Sequence, residues 1–148
     1  MIRTAVLLIF SVSFAIIESA VVVYAREAYY PEGNLFPLKG VLPQIAVMEV
    51  IREVSTIIIL GIIAYLCGKC FWQRSGAFLI AFGIWDVFYY IFLYLFYGVP
   101  RSLDEMDLLF LIPVPWAGPV YQPVLVALLF IITGFIIYIK KSPIPIYS

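Results

Sequence analysis

Four long apolar segments constrain the fold of this chain more than any other feature of its sequence. They lie at about 4–25, 45–67, 77–97 and 117–139, and each is close to the roughly 20 residues that a helix needs to cross the hydrocarbon core of a bilayer. In most of each segment, apolar residues occupy every face of the predicted helix, whereas helices of soluble bundles show a polar face. The sequence therefore predicts an all-α fold, a four-helix transmembrane bundle that forms one integral membrane domain over residues 1–148.

The composition agrees with a lipid environment. Hydrophobic residues make up 65% of the chain and charged residues 12%, whereas soluble domains average about 45–50% and about 25%. The formal net charge is zero and the chain has no His, so no basic surface indicates nucleic acid and no imidazole is present for acid–base chemistry near neutral pH. We expect the lipid bilayer, with further copies of the chain or other membrane subunits, as partners, and the sequence leaves any cofactor unknown.

The first apolar segment also has the start of a signal peptide, since Arg3 precedes the apolar run Ala5–Ala25. That run is longer than a typical signal core, and it contains Glu18. We therefore expect a retained first helix.

The segment before the fourth span has an unusual pattern. Ser102-Leu103-Asp104-Glu105 has the form of a capping box, which predicts a short helix from Leu103 to about Ile112. Several prolines follow, and the stretch from Asp107 to Pro119 is too apolar for an ordinary surface loop. Irregular backbone at membrane depth survives only against protein or water, so we interpret this element as a short interfacial or re-entrant helix.

The distribution of Lys and Arg predicts the orientation. One side of the bundle carries five cations and no acids, namely Arg3, Lys69, Arg74, Lys140 and Lys141. The other side carries three cations with five acids. Because cytoplasmic loops are enriched in Lys and Arg, we predict that both termini are cytoplasmic and that the chain is a multi-pass protein of the cell membrane, either the plasma membrane or an inner membrane.

Five ionisable side chains lie inside the apolar segments: Glu18, Glu49, Arg52, Glu53 and Asp86. A charge that faces lipid costs several kcal/mol, so these groups should face the bundle interior. At about 100° per residue the three on the second helix share one stripe, and Tyr89 and Tyr90 lie one turn beyond the aspartate. The depths of these residues agree, which predicts one polar site in the outer half of the bundle for a polar ligand or a proton.

Because the site contains four carboxylates and only one guanidinium, its role in function or in packing stays open. Buried like charges cannot all stay ionised, so the site holds protons, a cation or water, or else Arg52 pairs with its neighbours and only fixes helix packing. An all-oxygen ligand set suits a hard cation such as Mg, Ca or Mn, but Arg52 in its middle argues against one. No metal is firmly predicted.

Cys67 and Cys70 form a C-x-x-C motif at the end of the second apolar segment. Such a pair is either a redox dithiol or half of a metal site, and a zinc site would need further ligands from another chain. The alternative is a pair of ordinary reduced thiols at a helix end.

The stretches Trp85–Tyr90 and Leu111–Pro119 resemble segments of small uncharacterised prokaryotic polytopic membrane proteins. The resemblance covers the C-terminal half of the chain, and it implies no activity.

Three classes of function fit these features. The small size and short loops favour a subunit or scaffold of a larger membrane assembly, whose buried charges serve packing. The alternatives are a proton- or cation-coupled transporter, and a membrane enzyme with an outward-facing carboxylate site. Whether the chain is an enzyme stays open at the level of sequence.

Overall fold

The computed structural model describes residues 2–29 and 43–140 and is mostly helical. Its helices are α1 (Ile2–Tyr29), α2 (Pro43–Cys67), α3 (Phe71–Tyr97) and α4 (Tyr121–Lys140). All four are long and apolar enough to cross a membrane, which confirms the predicted set of four candidate spans and supports a multi-pass membrane protein. Lys141, one of the cations used to predict the orientation, lies outside the described residues.

Helices α1, α3 and α4 differ most from the predicted spans, and α1 continues to Tyr29 rather than ending near 25. Helix α3 begins at Phe71 rather than near 77, because the turn after α2 takes only residues 68–70. The side chain of Gln73 is buried there and accepts a hydrogen bond from the backbone N–H of Lys69 at 2.9 Å. Helix α4 begins at Tyr121 rather than near 117, because the residues before it form a strand.

The prediction of a short helix before the fourth span was wrong. That segment is an antiparallel hairpin of β1 (Met106–Phe110) and β2 (Trp116–Pro119), with a register irregularity between Leu108 and Phe110. The Glu105 carboxylate accepts the backbone N–H of Arg101 at 2.6 Å and so closes a turn instead of capping a helix. The prolines that follow lack the N–H groups that a continuing helix requires, whereas the apolar run before them can pair as a strand.

Helix α3 lies at the centre and packs against the other three helices. Its contact with α4 is very close. A Cβ atom added at Gly76 would lie 2.8 Å from the carbonyl oxygen of Gly134, and one added at Gly83 would lie 2.5 Å from that of Ala127. Small residues allow helix backbones to approach in this way, which stabilises packing in membranes where the hydrophobic effect between helices is weak.

The hairpin lies beside the middle of α3. The ring of Phe110, at the end of β1, stacks on the ring of Phe82 with 6.0 Å between centroids, and Phe82 lies near the midpoint of α3. The ring of Phe82 also contacts Trp85 and Phe130 edge to face. This aromatic cluster places the strand end deep in the bundle, next to the polar residues of α2 and α3.

Candidate functional site

Arg52 links helices α1 and α2. Its guanidinium donates hydrogen bonds to the carboxylate of Glu18 on α1 and, from Nη2 at 2.7 Å and Nε at 3.2 Å, to Oε2 of Glu49 on its own helix. The i,i+3 spacing puts Glu49 and Arg52 on one face of α2. Glu18 is buried, so its negative charge depends on this contact for compensation.

Glu53 holds the hairpin against α2. Its Oε2 accepts the backbone N–H of Leu111 at 2.9 Å, and its Oε1 accepts that of Ile112 at 3.4 Å. The neighbouring Pro113 and Pro115 have no backbone N–H to satisfy. The carboxylate of Glu53 therefore pairs the backbone donors that the strand end leaves free.

A second ion pair joins α1 to the hairpin, and the sequence analysis missed it. Nη2 of Arg26 lies 2.9 Å from Oδ1 and 3.2 Å from Oδ2 of Asp107. Oδ1 of Asp107 also accepts the backbone N–H of Leu108 at 2.9 Å. Burial raises the pKa of Asp107, while Arg26 acts to lower it. The available signal was the position of Asp107 directly before the apolar run Leu108–Ile112, because an acid carried into an apolar interior needs a nearby cation.

Asp86 lies on α3, and only 5% of it is exposed. It forms no ion pair or hydrogen bond with any other described residue. A cavity of about 70 Å³ lies beside it. Among the residues that line this cavity are six of the seven predicted for the polar site, namely Glu18, Arg52, Glu53, Asp86, Tyr89 and Tyr90.

Glu49 does not line the cavity and belongs to the site only through Arg52. The structure thus brings the predicted residues together, and their role stays a prediction. Thr56, which helical periodicity places on the same stripe of α2 as Arg52 and Glu53, and Trp85 were not among the predicted site residues. Both line the cavity, and Thr56 Oγ1 and Trp85 Nε1 are buried atoms without a hydrogen-bond partner. Burying such atoms without a partner costs free energy. A molecule in the cavity that forms hydrogen bonds with them would therefore be favoured.

The two cysteines lie far from this cavity, at the turn between α2 and α3. Cys67 is buried and Cys70 is partly exposed, and no disulfide joins them. Within residues 2–29 and 43–140, no group of three or more His, Cys, Asp or Glu side chains is placed to hold a metal ion. The predicted redox or metal half-site therefore gains no further ligand from the described part of the chain, and it stays a prediction.

The cavity volume limits the chemistry of the site. Pockets for drug-sized ligands measure about 300–1,000 Å³, whereas about 70 Å³ has room for only a few atoms. No family model, curated protein or solved structure matches this chain. The function must therefore be inferred from the geometry of the chain itself.

Proposed function

We propose that this chain is a small multi-pass subunit or scaffold of a larger membrane assembly, and that it contacts this assembly through its β-hairpin. The supporting observation is the hairpin tip, residues 113–117. All five of its residues are exposed, including Val114 at 67% and Trp116 at 44%. An exposed apolar turn of this kind is typical of a contact surface.

The depth of the tip distinguishes it from an ordinary surface turn. Glu53, which binds the backbone just before the tip, lies ten residues inside α2, or about 15 Å from its end at 1.5 Å per residue. Phe82, which stacks on Phe110, lies eleven residues inside α3, or about 16 Å from its beginning. If these helices span the bilayer, the tip lies at the depth of the hydrocarbon core.

Lipid cannot satisfy the backbone of a strand at that depth. A two-stranded sheet has two outer edges with unpaired backbone groups, and open edges do not occur against lipid tails. Glu53 and the two tip prolines remove most of the N–H donors at the turn, but residues 113–117 remain exposed. A partner subunit or a second copy of this chain would cover this tip.

The polar contacts also support a scaffold. Glu18 and Glu49 pair with Arg52, Asp107 pairs with Arg26, and the carboxylate of Glu53 pairs with backbone. These contacts fix the hairpin and helices α1 and α2 relative to one another, as expected for a preformed binding surface. The Lys and Arg distribution indicates that both termini lie on the cytoplasmic side of the cell membrane. In that orientation, the hairpin enters the bilayer from the outer side.

Photo-crosslinking tests the proposal. A crosslinking amino acid at Val114 should capture a discrete protein partner in intact membranes, because this side chain projects from the hairpin tip. The matched control is Leu129, which is similarly exposed, at 62%, but lies on α4. A product that contains two 16.8 kDa chains would identify a second copy, and any other mass a different subunit. Equal yields at both positions, or crosslinks to lipid alone at Val114, would contradict the proposal.

A proton- or cation-coupled transporter is the second candidate, and the unpaired carboxylate of Asp86 favours it. Proton flux into liposomes that Asp86→Asn abolishes would select transport over a purely structural role. An enzyme with an outward-facing carboxylate site has less support, because the cavity volume of about 70 Å³ is small for an organic substrate.

A further inference from the structure

Asp86 is the buried carboxylate that no cation neutralises in the described part of the chain. Glu18 has Arg52 and Asp107 has Arg26, whereas Asp86 has neither an ion pair nor a hydrogen bond. An isolated ionised carboxylate in an apolar interior is so costly that the group instead takes up a proton or acquires a counter-ion.

The groups around the cavity do not supply that counter-ion. The charged or titratable residues that line the cavity are Glu18 on α1, Arg52 and Glu53 on α2, and Tyr89 and Tyr90 on α3. Arg26 on α1 and Asp107 on the hairpin do not line the cavity but interact electrostatically with the two tyrosines. Helix α4 contributes no residue to the lining. Both arginines are already engaged with other carboxylates, so the negative charge of an ionised Asp86 would be uncompensated.

The unpaired atoms of the lining indicate what fills the cavity. The indole N–H of Trp85 can only donate a hydrogen bond, and the hydroxyl of Thr56 can donate or accept one. Neither has a partner. A bare sodium or ammonium ion could interact with Asp86 but could not accept the Trp85 N–H. Water both accepts and donates, so it can serve Trp85, Thr56 and Asp86 together.

The volume is consistent with water. A water molecule occupies about 30 Å³ in the liquid, and buried waters need two to four polar partners. A cavity of about 70 Å³ therefore has room for about two waters. The lining includes polar side chains that can act as such partners, namely those of Thr56, Trp85, Asp86, Tyr89 and Tyr90.

We propose that the cavity is a hydrated proton-binding site, in which Asp86 carries an exchangeable proton and about two waters connect it to Thr56 and Trp85. The proton leaves and returns through these waters, and no other bond changes. This inference concerns the isolated chain and does not depend on the proposed assembly, so either proposal can fail without the other.

Carboxyl-carbon NMR tests the site in the full chain in lipid nanodiscs. The sequence contains three aspartates, Asp86, Asp104 and Asp107, so labelling of aspartate with ¹³C at the side-chain carboxyl gives three signals. The Asp86 signal should have the shift of a protonated acid at neutral pH. It should also show an isotope shift in D₂O, and it should be lost in Asp86→Asn.

Two controls check the assignment of the Asp86 signal. Asp104→Asn should remove a different signal and leave that of Asp86 unchanged. If Asp86→Asn does not fold, the wild-type signal can still be assigned, because Trp85-Asp86 is the one Trp-Asp pair in the sequence. Labelling tryptophan with ¹³C at the carbonyl and aspartate with ¹⁵N and with ¹³C at all carbons then selects this residue and links its amide to its carboxyl carbon.

The role of the waters needs a separate variant. Thr56→Val keeps the side-chain volume but removes the hydroxyl, so it should slow the exchange of the Asp86 proton with D₂O while the acid stays protonated. An ionised Asp86 at neutral pH would overturn the proposal. So would a protonated acid that does not exchange with D₂O, an exchange rate that Thr56→Val leaves unchanged, or a signal that moves when sodium is replaced by a large organic cation at constant pH.

Discussion

Removing the positive charge of Arg52 should destabilise the bundle, because it leaves a buried carboxylate without compensation. Arg52→Met keeps an unbranched apolar chain but removes the hydrogen bonds to Glu18 and Glu49. Removing one partner of a fully buried ion pair costs about 3–5 kcal/mol, whereas single interhelical hydrogen bonds in membranes average about 0.6 kcal/mol.

The burial of the three side chains places this case between those limits. The exposed fraction of the side chain is 7% for Glu18 but 29% for Arg52 and 30% for Glu49. Arg52 and Glu49 therefore lie partly at the surface of the bundle, and Glu49 can turn away from the network after the substitution, whereas the buried Glu18 stays isolated. We expect a loss of about 2–3 kcal/mol, which corresponds to about a 30- to 150-fold change in the unfolding equilibrium constant.

Reversible unfolding in mixed micelles with increasing SDS, followed by circular dichroism, measures this loss. Arg101→Met is the matched control, because Arg101 is exposed beyond the end of α3 and such surface changes stay within about 0.5 kcal/mol. Adding Glu18→Gln to Arg52→Met should restore part of the lost stability, since it removes the uncompensated charge. A stable Arg52→Met variant, or a double variant with the sum of two separate losses, would refute the proposed role of Arg52 as the counter-ion of Glu18.

Three further predictions follow from the contacts of the hairpin and of α4. Glu53→Ala should release the backbone before the hairpin tip and increase amide hydrogen exchange there, whereas Glu53→Gln, which keeps one acceptor, should do so less. Gly134→Ala should lower the free energy of unfolding by about 1–3 kcal/mol through overpacking, since its Cβ would lie 2.8 Å from a backbone oxygen of α3; Gly61→Ala, with nothing within 4 Å, is the near-neutral control in the same unfolding assay. Because burial raises the pKa of Asp107, its contribution to stability is complete at pH values below the usual aspartate range and is lost as the pH rises past the raised value. Asp107→Asn should therefore flatten this part of the stability–pH curve, and an unchanged curve would contradict that assignment.

The spans could be predicted because their signal is local. Each is an apolar stretch whose length matches the thickness of a bilayer, and all four are helices in the structure. The convergence of Glu18, Arg52 and Asp86 could also be anticipated, since the cost of a charge in lipid turns each of them inward. Helical periodicity alone then placed Glu49 and Arg52 on one face, where the structure finds them paired.

The hairpin could not be anticipated, because its two strands are marginal on their own. The capping-box pattern near Ser102 favoured a helix, and an isolated two-stranded hairpin is at best marginally stable in water. The hairpin is held by distant groups, namely Arg26 for Asp107 and Glu53 for the backbone at Leu111. These partners are 81 and 58 residues away along the chain, so no local pattern contains them.

By itself, the sequence determined that this chain forms apolar helices of membrane-spanning length. Hydropathy and segment length are local properties, and they decide whether a helix fits the hydrocarbon core of a bilayer. Tertiary structure alone decided the conformation of the segment before α4 and which carboxylate kept no partner. Pairing is a competition among all groups brought within a few ångströms. Arg52 and Arg26 were taken by Glu18, Glu49 and Asp107, and Asp86 was left beside the cavity.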